Sequence, residues 1–419
     1  MKRRTFLQCT AAGAAAWAMG AHALTDKNGR PPNVLLIMAD DLGYECLGAY
    51  GGTSYNTPNL DHLAATGMRF DHCYSTPKCV PSRVNILTGR YGFRTGQEWG
   101  YIPPDEVTFA DVLKKAGYAT AVAGKWQLAL LEDNPDHPRE KGFDEWSLWA
   151  WHEGPRYWNP MIWQNGAIRD DVADRYGPEV YTEFLIDFMR RHRDQPFLAY
   201  YPMCLPHFAK TGGDYKEPTG PDGAYQDFDT LVHQTDAMVG RLVAALDRLG
   251  LRENTLILFT GDNGTSGKVT SEVNGRTMQG GKGEHTDAGT HVPLIVNQPG
   301  AVPAGTTCAD LVDFSDFMPT FADLAGADLP ADRTIDGESF FPQVQGKEGD
   351  PRDWVYTEWQ GKAWIRNHRW KLYDNGDLYD MAADPEEKDP IRPGKGDDEA
   401  QHARAHLAEA LADLRAEES

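Results

Sequence analysis

The chain has 419 residues, 41% of them hydrophobic, enough to bury the core of one large domain with a smaller unit appended. Its formal charge of −21 repels nucleic acid and any other polyanion at long range, so an anionic ligand has to be gripped by a local basic pocket. The six cysteines lack metal-type CxxC spacing and do not form an obvious disulfide framework; buried free thiols are the default, with one Cys73 pairing left open.

Residues 1–23 join Lys2, Arg3 and Arg4 to a short Ala-rich stretch ending in Ala21-His22-Ala23. This pattern predicts a signal peptide, cleaved after Ala23 and too weakly apolar for a stable membrane span. Arg3 and Arg4 followed by Thr5, Phe6 and Leu7 resemble a twin-arginine signal, which implies export of the folded chain by the bacterial twin-arginine machinery to the periplasm or medium. The expected organisation is then a catalytic α/β domain over 24–345 and a C-terminal subdomain over 346–419.

In chain order, PNVLLIMADD is a continuous apolar run ending in two carboxylates, as in a strand buried on both faces. TPNLDHLAATG reads as a helix with Thr57 as N-cap and Pro58 at its first position. A strand over 68–74 leads to KCVPSRVNILTGRY, where Pro81 suits a helix start, and VTFADVLKKAGYATAVAGKW repeats the helix-then-strand order. A Trp-, Pro- and Asn-rich segment over 146–176 reads as a loop insertion. Next come a helix over 179–193, the strand PFLAYYPM, a helix over 225–249, and the strands TLILFTGDN and VPLIVNQPG. Such alternation predicts a large, mainly parallel sheet with helices on both faces. From about residue 350, WVYTEW, KAWIRN, WKLYD and GDLYD read as a small antiparallel sheet. ADPEEKDPIRPGKGDDE reads as a mobile linker, followed by a terminal helix.

The chemistry-bearing residues cluster at strand ends. Asp40 and Asp41 end the first strand, and Asp262 with Asn263 ends TLILFTG. Ligand sites in open α/β sheets lie beyond the carboxyl ends of strands, and oxygen donors alone favour a hard cation, Ca2+ or Mg2+. Cys79-Val80-Pro81-Ser82-Arg83 puts Cys79 at a helix N-terminus, where free N–H groups favour an anion, and Arg83 one turn along the same face. Further candidates are Lys125 and Gln127 of GKWQ, on one face of a strand end, then His207 of Pro206-His207 and Lys282 of Gly280-Gly281-Lys282-Gly283.

With these motifs the chain resembles a type I sulfatase of the alkaline phosphatase superfamily over nearly all of its mature length. The resemblance implies that a formylglycine-generating maturation enzyme oxidises Cys79 to formylglycine (3-oxoalanine), whose hydrate is the nucleophile, and that Arg83 stabilises it. It also implies that Asp40, Asp41, Asp262, Asn263 and an oxygen of modified Cys79 bind Ca2+. Lys125 and Lys282 resemble the family's sulfate-holding lysines, and His207 its leaving-group proton donor. Two departures stand out: Gln127 replaces a usual histidine and cannot titrate, and GEHTDAGTHVP brings in His285, Asp287 and His291. His207 or His285 is expected to cover proton transfer. Trp149, Trp151, His152, Arg156 and Trp158 could form a stacking rim for a sulfated sugar. Two other readings remain at this level: a phosphodiesterase or phosphonate hydrolase using the same modified cysteine, and a non-catalytic binder of sulfated glycans.

Overall fold

The computed structural model describes residues 29–96, 98–150, 153–207 and 217–416. The expected signal peptide, Trp151 and His152 lie outside the described residues.

The strands are β1 (Asn33–Ala39), β2 (Met68–Tyr74), β3 (Ala119–Trp126), β4 (Glu145–Ala150), β5 (Trp163–Gln164), β6 (Ala167–Ile168), β7 (Phe197–Pro202), β8 (Thr255–Gly261), β9 (Thr270–Val273), β10 (Arg276–Gln279), β11 (His291–Asn297) and β12 (Thr306–Asp313). Ten of them form one sheet in the order β12-β2-β11-β8-β1-β7-β3-β4-β5-β6, while β9 and β10 make a separate hairpin. The central pairings of β1 with β7 and β8, and of β3 with β4 and β7, are parallel; β11 runs antiparallel to both its neighbours. Every residue of β1 is buried because both sheet faces are covered. Val34, Leu36 and Met38 enter one core and Leu35, Ile37 and Ala39 the other, the period-two split of a strand.

Helices α1 (Pro58–Ala65), α2 (Cys79–Thr88), α3 (Phe109–Lys115), α4 (Gly177–Arg191), α5 (Phe228–Leu249) and α6 (Phe317–Ala325) flank the sheet. Asp227 caps α5 by accepting from Thr230 N at 2.9 Å, and Gly250 closes it with φ 68°. Among the described residues no helix is long and apolar enough to cross a membrane.

At the C-terminal end, β13 (Val355–Trp359), β14 (Lys362–Arg366), β15 (Trp370–Tyr373) and β16 (Leu378–Asp380) form an antiparallel sheet in chain order. Helix α7 (Asp398–Ala416) buries Leu407, Leu411 and Leu414 in one cluster with Ile365 and Leu372.

Helix α2 starts at Cys79, as expected, with Lys78 as N-cap and Pro81 within the first turn. Two sequence expectations are corrected. The Trp-rich segment is no mere loop insertion: β4 inside it pairs with β3, burying Trp146 and Leu148. The polar stretch before α7 is anchored, since Ile391 bridges to Leu378 and the Glu387 side chain is 1% exposed.

Candidate active site

Four sheet ends and one helix start converge. Backbone bonds lock the strand exits together: Asp40 N donates to Leu205 O at 2.8 Å, and Asp262 N to Ala39 O at 2.9 Å. Asp41 turns the chain with φ 67°, a left-handed conformation that Asp tolerates better than most residues, and its N–H donates to Asp262 Oδ1 at 3.0 Å. These turns put Asp40, Asp41, Asp262 and Asn263 side by side, each at most 4% exposed. Ligand atoms of Asp40, Cys79 and Asp262 all lie within 4.8 Å of one another. Asn263 Nδ2 donates to Asp41 Oδ1 at 3.0 Å, while its buried Oδ1 has no partner among the described residues.

Three cations face these acids. Arg83, one helical turn beyond Cys79 and 1% exposed, donates from Nη2 to Asp262 Oδ2 at 2.7 Å. Lys125 Nζ reaches both Asp40 oxygens at 2.9 and 2.8 Å, and Lys282 pairs with Asp41 Oδ1. Burial opposes the Asp40 charge, but Lys125, His207, Arg83 and Lys282 more than offset it and hold this carboxyl well below its usual range. Burial and the neighbouring Asp40 push Asp262 up to about 6. Burial works against the Lys282 ammonium too, yet Asp41 and its neighbours hold it firmly charged.

His207 Nε2 lies 3.6 Å from Asp41 Oδ2. Burial pushes its imidazole down to about 3 against the pull of Asp41, so the ring is neutral near pH 7, with Nδ1 unpartnered among the described residues. Tyr157, which sequence reasoning missed, positions it: the hydroxyl lies 2.5 Å from the carbonyl oxygens of both Cys204 and His207. Nothing in a lone buried tyrosine signals such a tether before the fold is known. Gln127 sits just past β3, 8% exposed, its Oε1 likewise unpartnered.

The sequence-predicted residues Cys79, Arg83, Lys125, His207, Lys282, Asp40, Asp41, Asp262 and Asn263 therefore come together. His285 does not join them as a proton carrier. Its Nε2 bonds to Trp359 O at 3.1 Å and its own carbonyl accepts from Lys371 Nζ and Tyr373 Oη, so it anchors its loop to the C-terminal sheet. Asp287 pairs with Arg366 at 2.7 Å, and His291 bonds to Asp71 O at 2.8 Å and stacks on Tyr74. Of the expected stacking rim, Trp149 and Arg156 are buried and Trp158 is partly exposed. Trp149 is 8% exposed, with its indole N–H bound to Gly154 O at 2.7 Å, and Arg156 is buried over its ring and held by Glu217 at 2.5 Å. The described cysteines are all unpaired.

Comparison with known proteins gives the family. The sulfatase family model matches residues 32–327, and that of the N-sulphoglucosamine sulphohydrolase C-terminal region matches 285–417. The chain belongs to the sulfatase family of the alkaline phosphatase superfamily, a class of sulfuric ester hydrolases. It is 34% identical to the steryl-sulfatase of Mus musculus over 76% of this chain and 65% of that one, so it spans slightly less than two thirds of that relative. It is 33% identical to the N-acetylgalactosamine-6-sulfatase of Canis lupus familiaris, over 83% of this chain and 74% of the relative. Among solved structures, Ps i-CgsB in complex with k-i-k-neocarrahexaose superposes with a TM-score of 0.78 at 27% identity, covering 93% of each chain.

Proposed function

We propose that this protein hydrolyses the sulfate monoester of a carbohydrate, using a nucleophile made by oxidation of Cys79 to formylglycine and a Ca2+ ion held by Asp40, Asp41, Asp262 and Asn263. The observation that carries the proposal is the convergence of Cys79 with two buried carboxylates at the point where Arg83, Lys125 and Lys282 meet. The donor set fits a hard cation: it is rich in carboxylate oxygen, and the unpartnered Asn263 Oδ1 offers one more neutral oxygen. When bound, the ion would supply positive charge to a sulfate oxygen and orient the modified residue. Once oxidised and hydrated, residue 79 would supply one hydroxyl to attack sulfur and a second to release the resulting sulfate ester.

The chain's own residues do the rest. Three carboxylates face three cations, so a dication among the acids leaves positive charge on the cations for the sulfate oxygens. Arg83 offers a planar fork at the start of α2, whose free N–H groups also favour an anion. Lys125 and Lys282 approach from β3 and from the loop before β11 and fix the sulfur in line with residue 79. His207 delivers a proton to the departing alcohol. The anionic ester beside it favours the protonated imidazole that this role needs. Gln127 Oε1 accepts a hydrogen bond from a substrate or nucleophile hydroxyl. Burial of Asp40, Asp262, Arg83 and Lys125 keeps bulk water from competing for these charges.

A carbohydrate is favoured by the likeness to an N-acetylgalactosamine-6-sulfatase and to a structure holding a neocarrahexaose. The basic, Ala-rich start supports export by the twin-arginine route to the periplasm or medium. Mass spectrometry of the peptide spanning Cys79, from protein made in its native source or with a formylglycine-generating enzyme, tests the nucleophile. The expected peptide lacks the thiol sulfur and carries a carbonyl oxygen. An unmodified thiol in protein that releases sulfate would refute it.

A further inference from the structure

We propose that Arg156 determines specificity: the Nη fork of its guanidinium holds a second oxyanion, a carboxylate or a further sulfate, on the sugar that departs when the ester at Cys79 is cleaved. The proposal rests on the carbohydrate reading above and narrows the substrate to a saccharide carrying two anionic groups. Arg156 is 8% exposed, and three neighbours hold its guanidinium. Its Cζ lies 4.8 Å from the centre of the Trp149 ring and 5.5 Å from that of Tyr157, as in a cation–π contact. Glu217 accepts from Nε at 2.5 Å with one carboxylate oxygen and from the backbone N–H at 2.8 Å with the other. Nη1 and Nη2 donate to nothing among the described residues. Burial works against this charge, yet Glu217 and its neighbours keep it firmly ionised. A side chain nine-tenths out of water with two NH2 groups unmet carries a desolvation cost that an acceptor on a ligand offsets.

The same contacts put the fork beside the reacting centre. Trp149 is paired in register with Lys125, about 5 Å away across the parallel strands β4 and β3. Paired residues of adjacent strands share a sheet face, and Ala121, Ala123, Trp149 and Tyr157 line one core together. The guanidinium therefore lies on the face that carries Lys125 and, through it, Asp40. Tyr157, the next residue, lies 2.5 Å from the carbonyl oxygen of His207, and Arg156 is close enough for its charge to act on the His207 imidazole. His207 serves the departing alcohol in the reading above. A cation beside it faces the departing sugar rather than the sulfate gripped by Arg83, Lys125 and Lys282.

The chemistry of the fork selects the group it takes. Guanidinium has donors only, and both Glu217 oxygens are already engaged by Arg156, so the pair favours a partner that accepts without donating. Two oxygens in one plane meet two parallel N–H bonds, the bidentate geometry of a carboxylate or sulfate. A chain of formal charge −21 draws no polyanion from a distance, so a second anion on the substrate needs a grip of its own.

The test compares kcat/KM for sulfate release within pairs that differ by one oxyanion: N-acetylgalactosamine 6-sulfate against N-acetylgalactosamine 4,6-disulfate, and chondroitin 6-sulfate disaccharide against its carboxyl-reduced form. An aryl control is 4-methylumbelliferyl sulfate. The proteins are the matured wild type, Arg156→Gln, Arg156→Lys and the double variant Arg156→Gln/Glu217→Gln, which leaves no stranded carboxylate. In at least one pair the wild type should prefer the member with the extra oxyanion about tenfold, through KM, and which pair shows it tells carboxylate from sulfate. That preference should fall to within about twofold of unity in both Gln-bearing variants, while Arg156→Lys, which keeps the charge without the fork, should retain part of it. Each preference is a ratio within one protein, so a smaller folded fraction cancels. No preference in either pair by the wild type, or a preference that survives in both Gln-bearing variants, overturns the proposal. So does loss of all release by both of them, aryl sulfate included, which would place Arg156 in the fold or the reaction instead. Hydrolysis of the aryl sulfate by the wild type with no release from any saccharide overturns the carbohydrate reading, and this one with it; release from no probe overturns the sulfatase reading itself.

Discussion

Replacing Lys371 with Met probes how the C-terminal sheet supports the sulfate site. Lys371 Nζ is fully buried 4.4 Å over the Trp364 ring and holds three groups: His285 O at 2.8 Å, Asp287 Oδ1 at 3.2 Å and Glu387 Oε1 at 2.8 Å. Methionine fills nearly the same volume, so the loss is one of charge and hydrogen bonds rather than of packing. Breaking one partner of a buried pair costs about 3–5 kcal/mol. Here Glu387 keeps the Tyr373 hydroxyl and Asp287 N–H, and Asp287 keeps Arg366, which places the expected cost near the lower end, about 3 kcal/mol. Equilibrium urea unfolding measures it. Adding Glu387→Gln should recover part of the loss, because the second change removes the stranded charge. The functional consequence runs through the backbone that Lys371 clamps, which begins three residues after Lys282. Lys371→Met should lower kcat/KM about tenfold through misplacement of that lysine, and the effect should vanish in a Lys282→Ala background. Additive effects with Lys282→Ala, or a stability change below about 1 kcal/mol, would refute this coupling.

Three other outcomes follow from the site and its surroundings. Asp262→Asn removes one of three clustered carboxylates and strands Arg83; Ca2+ affinity by titration calorimetry should drop at least about tenfold, and unchanged affinity would remove Asp262 from the ligand set. His137 accepts from Trp126 Nε1 at 3.2 Å, and burial depresses it to about 4. Because the folded pKa lies below the unfolded one, the stability it contributes is complete above about pH 6.5 and is lost as pH falls through about 4, roughly 3 kcal/mol in all. Urea unfolding at pH 7 and pH 4 should show that loss shrinking in His137→Gln, and an identical pH profile would contradict it. If its buried, unpartnered Oε1 serves the reacting groups as proposed, Gln127→Ala should lower kcat with little change in KM; a change confined to KM would make Gln127 a simple binding residue.

Much of this site could be read from the chain because its parts sit on strong local signals. PNVLLIMADD is apolar at both alternating phases, so β1 and the position of Asp40 at its exit follow from burial on two faces. TLILFTGDN carries the same signal to Asp262. Cys79 is marked by its proline and by the arginine one turn later. What stayed hidden depends on contacts between distant segments. Glu387 lies in a run of charges and turn residues whose composition is that of solvent-exposed chain, and only the fold brings Lys371 and Tyr373 onto it. The tryptophans near residue 150 read as a sugar-binding surface because side-chain type cannot report burial. In the folded chain Trp149 is shielded by Arg156. His285 misled for the same reason: a histidine near a reactive lysine can serve the reaction or hold the loop, and Trp359 O decides for the loop.

The central claim is that residue 79, among Asp40, Asp262 and the three cations, attacks the sulfur of a sulfate ester. Its most direct measure is inorganic sulfate released from 4-methylumbelliferyl sulfate and a sulfated saccharide by protein matured with a formylglycine-generating enzyme, compared with Cys79→Ala prepared identically. The account predicts saturable release by the first protein and loss of at least about three orders of magnitude in the second. Equal release by both would contradict it.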